Sequence, residues 1–198
     1  MGKSFTFLNA VQFLDALNEN LFKYIVVYFL IYYHGEESTS MVMSITGAVF
    51  ILPFILFSSL GGVFADRWSK TRVIQITRLL QIAFMILAFF FMLYHEGNLI
   101  YAILFITASL SAVFGPSKYG IISEIVPQGK LLRANGFIAA FTFFGIIVGT
   151  ALASLLDTLT NETFSLMMIP CITFSILGVT FSFLIPYTNP VEPEKKWP

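Results

Sequence analysis

The chain has 198 residues, 57% of them hydrophobic and only 11% charged, with eleven basic and eleven acidic residues cancelling to a net charge of zero and a mean hydropathy of +0.83. That composition excludes a soluble globular domain, and the 23 Phe suit lipid-facing and helix-packing surfaces. At roughly 20 residues per crossing the length accommodates about six membrane spans, with little left for a water-soluble domain.

The first predicted span covers residues 5–33 and contains "VQFLDALNENLFKYIVVYFLIYY". Its second half is apolar, but its first half carries Gln12, Asp15, Asn18, Glu19, Asn20 and Lys23. At 100° per residue, Gln12, Asp15, Glu19 and Lys23 fall within an arc of roughly 80°, which makes one polar stripe. Glu19 and Lys23, at i and i+4, are spaced to pair across a turn and to lower each other's cost of burial. Two readings follow. Either the stripe faces inward and lines a polar path, or residues 5–20 lie in the interface and only the remainder enters the bilayer.

The second span, residues 41–64, runs into "GGVFADRWSKTR", where small residues permit close helix approach and an acid at the membrane edge precedes a basic loop. A third span over 73–94 holds Arg78 about two turns from its start. The fourth, residues 99–122, contains Pro116, which lacks a backbone donor and is expected to kink or end the helix just before Lys118 and Tyr119. After the loop "SEIVPQGKLLRANG", the fifth span covers 137–156 and spaces Gly145 and Gly149 as G-x-x-x-G, a pattern for close packing of two helix backbones. The sixth covers 164–187 and includes the single cysteine, Cys171, expected as a small buried hydrophobe. The chain thus divides into a six-helix unit over 1–187 and a Pro-rich, charged tail or linker over 188–198.

Charge orients the spans, because Lys and Arg favour cytoplasmic loops. Lys3, Arg67, Lys70, Arg72, Arg78, Lys118, Lys130, Arg133, Lys195 and Lys196, ten of the eleven basic residues, fall toward one side. The opposite loops carry Glu36, Glu37, Glu96, Asp157 and Glu162. Both termini are therefore expected in the cytoplasm. "SSLGGVFAD" closes span two and "GTALASLLD" closes span five, an echo expected of a three-plus-three inverted repeat.

The run Gly62, Phe64, Asp66, Arg67, Ser69, Lys70, with Arg72 just beyond, resembles the loop motif G-x-L-A-D-R-x-G-R-K of the major facilitator superfamily. Ser69 stands where Gly is usual and Thr71 where a second basic residue is usual. Further on, P-x-K-Y-G at Pro116 to Gly120, then Glu124 and "LLRANG", together with Gln12, Phe13, Leu14, Glu19 and Asn20, is similar to the bacterial lysophospholipid transporters of that superfamily. The resemblance implies an all-α membrane protein, the N-terminal half of a major facilitator fold, resident in the bacterial inner membrane. It implies that Asp66, Arg67 and Lys70 gate through a contact with the other half. Lysophospholipids would pass from the outer to the inner leaflet for reacylation, with Asp15, Glu19 and Asn20 lining the path and Lys118 near its cytoplasmic mouth.

The partners so implied are the lysophospholipid, membrane lipid, and a second six-helix half, from the same protein beyond residue 198 or from another copy. An acyltransferase is a further partner of such proteins, and no nucleic acid is expected. One rival reading keeps the fold and makes the chain a proton-coupled permease for a drug or metabolite, with Glu19 carrying the proton. Another makes it a non-transporting anchor for a phospholipid-remodelling acyltransferase. No H-x-x-x-x-D acyltransferase motif, Cys/His metal spacing or phosphate loop occurs in the sequence, so neither enzymatic activity, a cofactor nor a metal is expected.

Overall fold

The computed structural model describes residues 2–194, and within them every regular element is helical. The long helices are α1 (Lys3–His34), α2 (Thr39–Arg67), α3 (Lys70–Leu93), α4 (Gly97–Ile125), α5 (Leu131–Thr160) and α6 (Phe164–Ser182), with single 3-10 turns at Glu36–Ser38 and Gln128–Lys130. Local chemistry sets several boundaries. Gly35 leaves the helix at φ 90, a conformation that side chains resist, and α1 ends there. Asn161, in the left-handed region at φ 47, ends α5. Ser69 caps α3 by accepting a bond from the Arg72 amide.

Five segments are long and apolar enough to cross a bilayer: Glu36–Arg67, Lys70–Leu93, Gly97–Ile125, Gln128–Thr160 and Phe164–Ser182. With 32 residues α1 has the length, but its polar half keeps it out of that group. It is instead the most enclosed helix, with 18 of its 32 residues buried. Leu8, Val11, Leu21, Ile25, Phe29 and Leu30 have no exposed surface at all. This enclosure includes residues 5–20, so that stretch is not an interfacial helix lying outside the bundle.

Packing follows a paired scheme. The most extensive partner of α1 is α5, then α6; that of α4 is α2, then α3; and α3 meets α6. Exchanging α1–α3 for α4–α6 maps this pattern onto itself. By contrast α2 and α5 bury few residues and present apolar side chains outward, among them Ile51, Ile55, Phe143 and Ile147.

In the middle of the chain one alternative is decided and one expectation corrected. Pro116 does not end the fourth helix: α4 runs on to Ile125, and α5 already begins at Leu131, so "LLRANG" is helix rather than loop. Proline removes only the hydrogen bond to the carbonyl four residues earlier, that of Ala112. That carbonyl lies 2.9 Å from where a Cβ on Gly61 of α2 would stand, so α2 approaches closely at the disrupted turn. The close-approach glycine is therefore Gly61. Around Gly62, the residue in the loop pattern, there is nothing within 4 Å of an added Cβ.

At the other end α6 stops at Ser182, four residues before Pro186, which disfavours helix in the residue ahead of it. The chain then lies against the α2–α3 loop. Thr71 Oγ1 donates to the Pro186 carbonyl at 2.7 Å, and the Val191 and Glu192 amides both donate to the Asp66 carbonyl, at 3.0 and 2.9 Å. Lys195 and Lys196, counted above for orientation, lie outside the described residues.

Candidate functional site

The stripe on α1 does form, but it faces several helices, because the residues sit at different heights on an enclosed rod. Gln12 Nε2 donates to Thr142 Oγ1 of α5 at 2.8 Å. One turn on, Asp15 is ion-paired with Arg78 of α3. Asn18, on the neighbouring face, donates to Ser175 Oγ of α6 at 2.8 Å. Ser111 of α4 faces the Glu19 carboxylate, and Lys118 and Lys23 are the cations that act on it. Asn20 turns back on its own helix and bonds the Ala16 carbonyl at 2.9 Å. The expected Glu19–Lys23 bridge is not formed: Lys23 Nζ instead bonds Asn20 Oδ1 at 3.2 Å.

Arg78, whose partner no single span could reveal, stands about two turns into α3. It is 2% exposed and donates to Gln81 Oε1 at 2.7 Å. Its guanidinium lies 4.4 Å from the centroid of the Phe114 ring. The signal was present: a guanidinium two turns inside an apolar run must find an anion, and Asp15 was available. Because α4 continues through Pro116, Lys118 does not stand at a helix end but is 8% exposed beside the Phe114 and Tyr119 rings.

Together α1, α3 and α4 enclose two carboxylates, Asp15 and Glu19, with two cations, Arg78 and Lys118. A charge at mid-bilayer costs about 2.5–3.5 kcal/mol on an insertion scale, a cost that pairing within such a set lowers. The cluster also retains hydrogen-bonding capacity. Glu19 Oε1 and Arg78 Nε and Nη2 are buried with no hydrogen-bond partner. Such a set offers an anionic acceptor and cationic donors side by side, which is the recognition chemistry of a zwitterion.

The loop residues come together separately. Lys70 Nζ bonds Glu124 Oε1 of α4 at 2.6 Å, and the Arg72 guanidinium lies 5.4 Å from the Tyr187 centroid. Ser69 needs no glycine-like backbone, since its φ of −55 is ordinary and its hydroxyl supplies the cap. Thr71, in the place of a second basic residue, binds the chain after α6. Gly145 and Gly149 pack as their spacing implies. Their added Cβ atoms would strike the backbone of α1, Gly145 at 2.8 Å from the Phe13 carbonyl oxygen and Gly149 on that of Leu17.

The sequence profile of the Major Facilitator Superfamily matches residues 8–198. Among curated relatives, the lysophospholipid transporter LplT of Photorhabdus laumondii subsp. laumondii is 30% identical over 150 residues, covering 75% of this chain and 35% of that protein. The protein of the same name in Klebsiella pneumoniae is 30% identical over 152 residues, covering 73% and 34%. That of Pectobacterium carotovorum is 29% identical over 199 residues, covering 96% of this chain and 44% of the relative. The chain therefore spans between about a third and under a half of the length of these relatives.

Proposed function

From a chain that belongs to the major facilitator superfamily, we infer a membrane transporter, of which residues 1–187 form the N-terminal six-helix half and α1 is a sixth span enclosed by the other five. The observation that carries the reading is the buried cluster of Asp15, Glu19, Arg78 and Lys118 with its unpartnered acceptor and donor atoms. The cargo is a lysophospholipid, as the names of the relatives suggest, moved from the outer to the inner leaflet of the bacterial inner membrane for reacylation. Glu19, with Asp15, Gln12 and Asn20 beside it, offers an acidic partner to a head-group amine, and Arg78 and Lys118 offer cations to the phosphate.

The exchange-symmetric packing supports a three-plus-three inverted repeat. The outward apolar faces of α2 and α5 suit a second six-helix half, from the same protein or from another copy. The distribution of basic residues supports cytoplasmic termini. In this scheme Asp66, Arg67, Lys70 and Arg72 belong to a gate at the cytoplasmic ends of α2 and α3, and residues 188–198 to a tail or linker; an acyltransferase is a further partner on that side.

Glu19→Gln tests the reading, because it removes one charge with almost no change of shape. The expected outcome is normal membrane insertion with uptake of lysophosphatidylethanolamine lowered at least ~10-fold, the loss of roughly one charge-assisted hydrogen bond. Unchanged uptake would remove the carboxylate from the mechanism. Uptake that collapses when the proton gradient is dissipated would favour the permease reading.

A further inference from the structure

One turn beyond Glu19, whose carboxylate acts on it without a direct ion pair, the Lys23 ammonium has donors left unused. Nζ bonds a single oxygen, the amide carbonyl of Asn20, although an ammonium carries three donors. Otherwise it lies over two ring faces, 4.7 Å from the centroid of Tyr24 and 4.9 Å from that of Phe50 on α2. Neither the Lys70–Glu124 nor the Asp15–Arg78 ion pair includes it.

Lys23 lines a cavity of about 260 Å³ between α1 and α2, two helices that touch each other little. Thr46 lines the same cavity and is 1% exposed, with Oγ1 buried and without a partner. Other helical threonines use theirs, Thr71 on the chain after α6. Thr77, Thr107 and Thr142 each return the hydroxyl to a carbonyl of their own helix, the usual fate of a threonine inside a bilayer. An ammonium with unused donors and a residue whose buried hydroxyl has no partner thus line one space. The neighbouring Gly47 leaves room there, since an added Cβ would meet nothing within 4 Å. The remaining walls are apolar, including Met43 and Ile51, which are 52% and 57% exposed.

We propose that this cavity is an anion subsite that takes a phosphate group between the Lys23 ammonium and the Thr46 hydroxyl, separate from the Asp15–Arg78 cluster. Hydrocarbon attached to that phosphate lies along Met43 and Ile51. The phosphate site stands on the cavity itself; that the phosphate belongs to an amphiphile rests on the transport reading above.

Binding to the full-length protein in detergent decides both points, with three probes: lysophosphatidylglycerol, glycerol 3-phosphate, and a monoacylglycerol of the same chain length. Lys23→Met keeps the stem and removes the charge, and is expected to weaken lysophosphatidylglycerol binding at least ~10-fold. Thr46→Val weakens it about threefold, and Lys23→Arg stays within about threefold of the parent. Monoacylglycerol, which has no phosphate, binds all variants alike. Unchanged lysophosphatidylglycerol binding in Lys23→Met overturns the proposal, as does an equal loss for the monoacylglycerol, which would make Lys23 a packing residue. Lys23-dependent binding of glycerol 3-phosphate as tight as that of the lysolipid supports the anion site and removes the amphiphile from it.

Discussion

Arg78→Met is expected to lower the stability of the folded protein by about 3 to 5 kcal/mol, the usual cost of leaving one member of a buried ion pair without its partner. Arg78 and Asp15 are 2% and 4% exposed at their side chains, so water cannot replace the lost guanidinium. Gln81 Oε1 loses its donor at the same time. The double variant Arg78→Met, Asp15→Leu removes both charges together and is expected to recover most of the loss, because a buried pair contributes little net stability over an apolar pair of similar volume. Thermal unfolding of the purified protein in detergent measures both. A single variant as stable as the parent would mean that the pair is wet, and with it the enclosure of α1.

The second large effect lies where α5 crosses α1. A methyl group at Gly149 would be driven into the Leu17 carbonyl, which is backbone and cannot rotate away. Gly149→Ala is therefore expected to separate the two helices at a cost of ~1–3 kcal/mol, and Gly149→Leu to prevent stable folding. Gly178→Ala on α6 is the matched control, with nothing within 4 Å of the added carbon. Equal melting temperatures for Gly149→Ala and Gly178→Ala would contradict the close crossing.

Runs of apolar residues located all six long helices, because each run is local and bounded by polar loops. The stripe on α1 was likewise legible, since 100° spacing depends on one helix alone. What the stripe would touch was not. Gln12 meets Thr142 and Asn18 meets Ser175 across 130 and 157 residues of chain, and no local pattern encodes such pairings. Arg78 was read at its depth inside the third span, but its partner Asp15 lies on another helix and no local pattern names it. The loop after α2 misled in another way. Its departures from the family pattern, Ser69 and Thr71, are both used, one as a helix cap and the other as a hold on the chain after α6. Hydropathy and motif spacing register only that the usual residue is missing.

Gating by Asp66, Arg67 and Lys70 and substrate contact by Glu19 and Lys118 are proposed together. Their common premise is that an amphiphile moves past the charges enclosed by α1, α3 and α4.

Reconstitution of the full-length protein into liposomes tests that premise most directly. Labelled lysophosphatidylethanolamine is added to the outer leaflet, and albumin then extracts whatever remains there. Protein-dependent protection of the label without a proton gradient, abolished by Glu19→Gln, is the predicted result. Protection no greater than in protein-free liposomes would contradict lysophospholipid transport through this path.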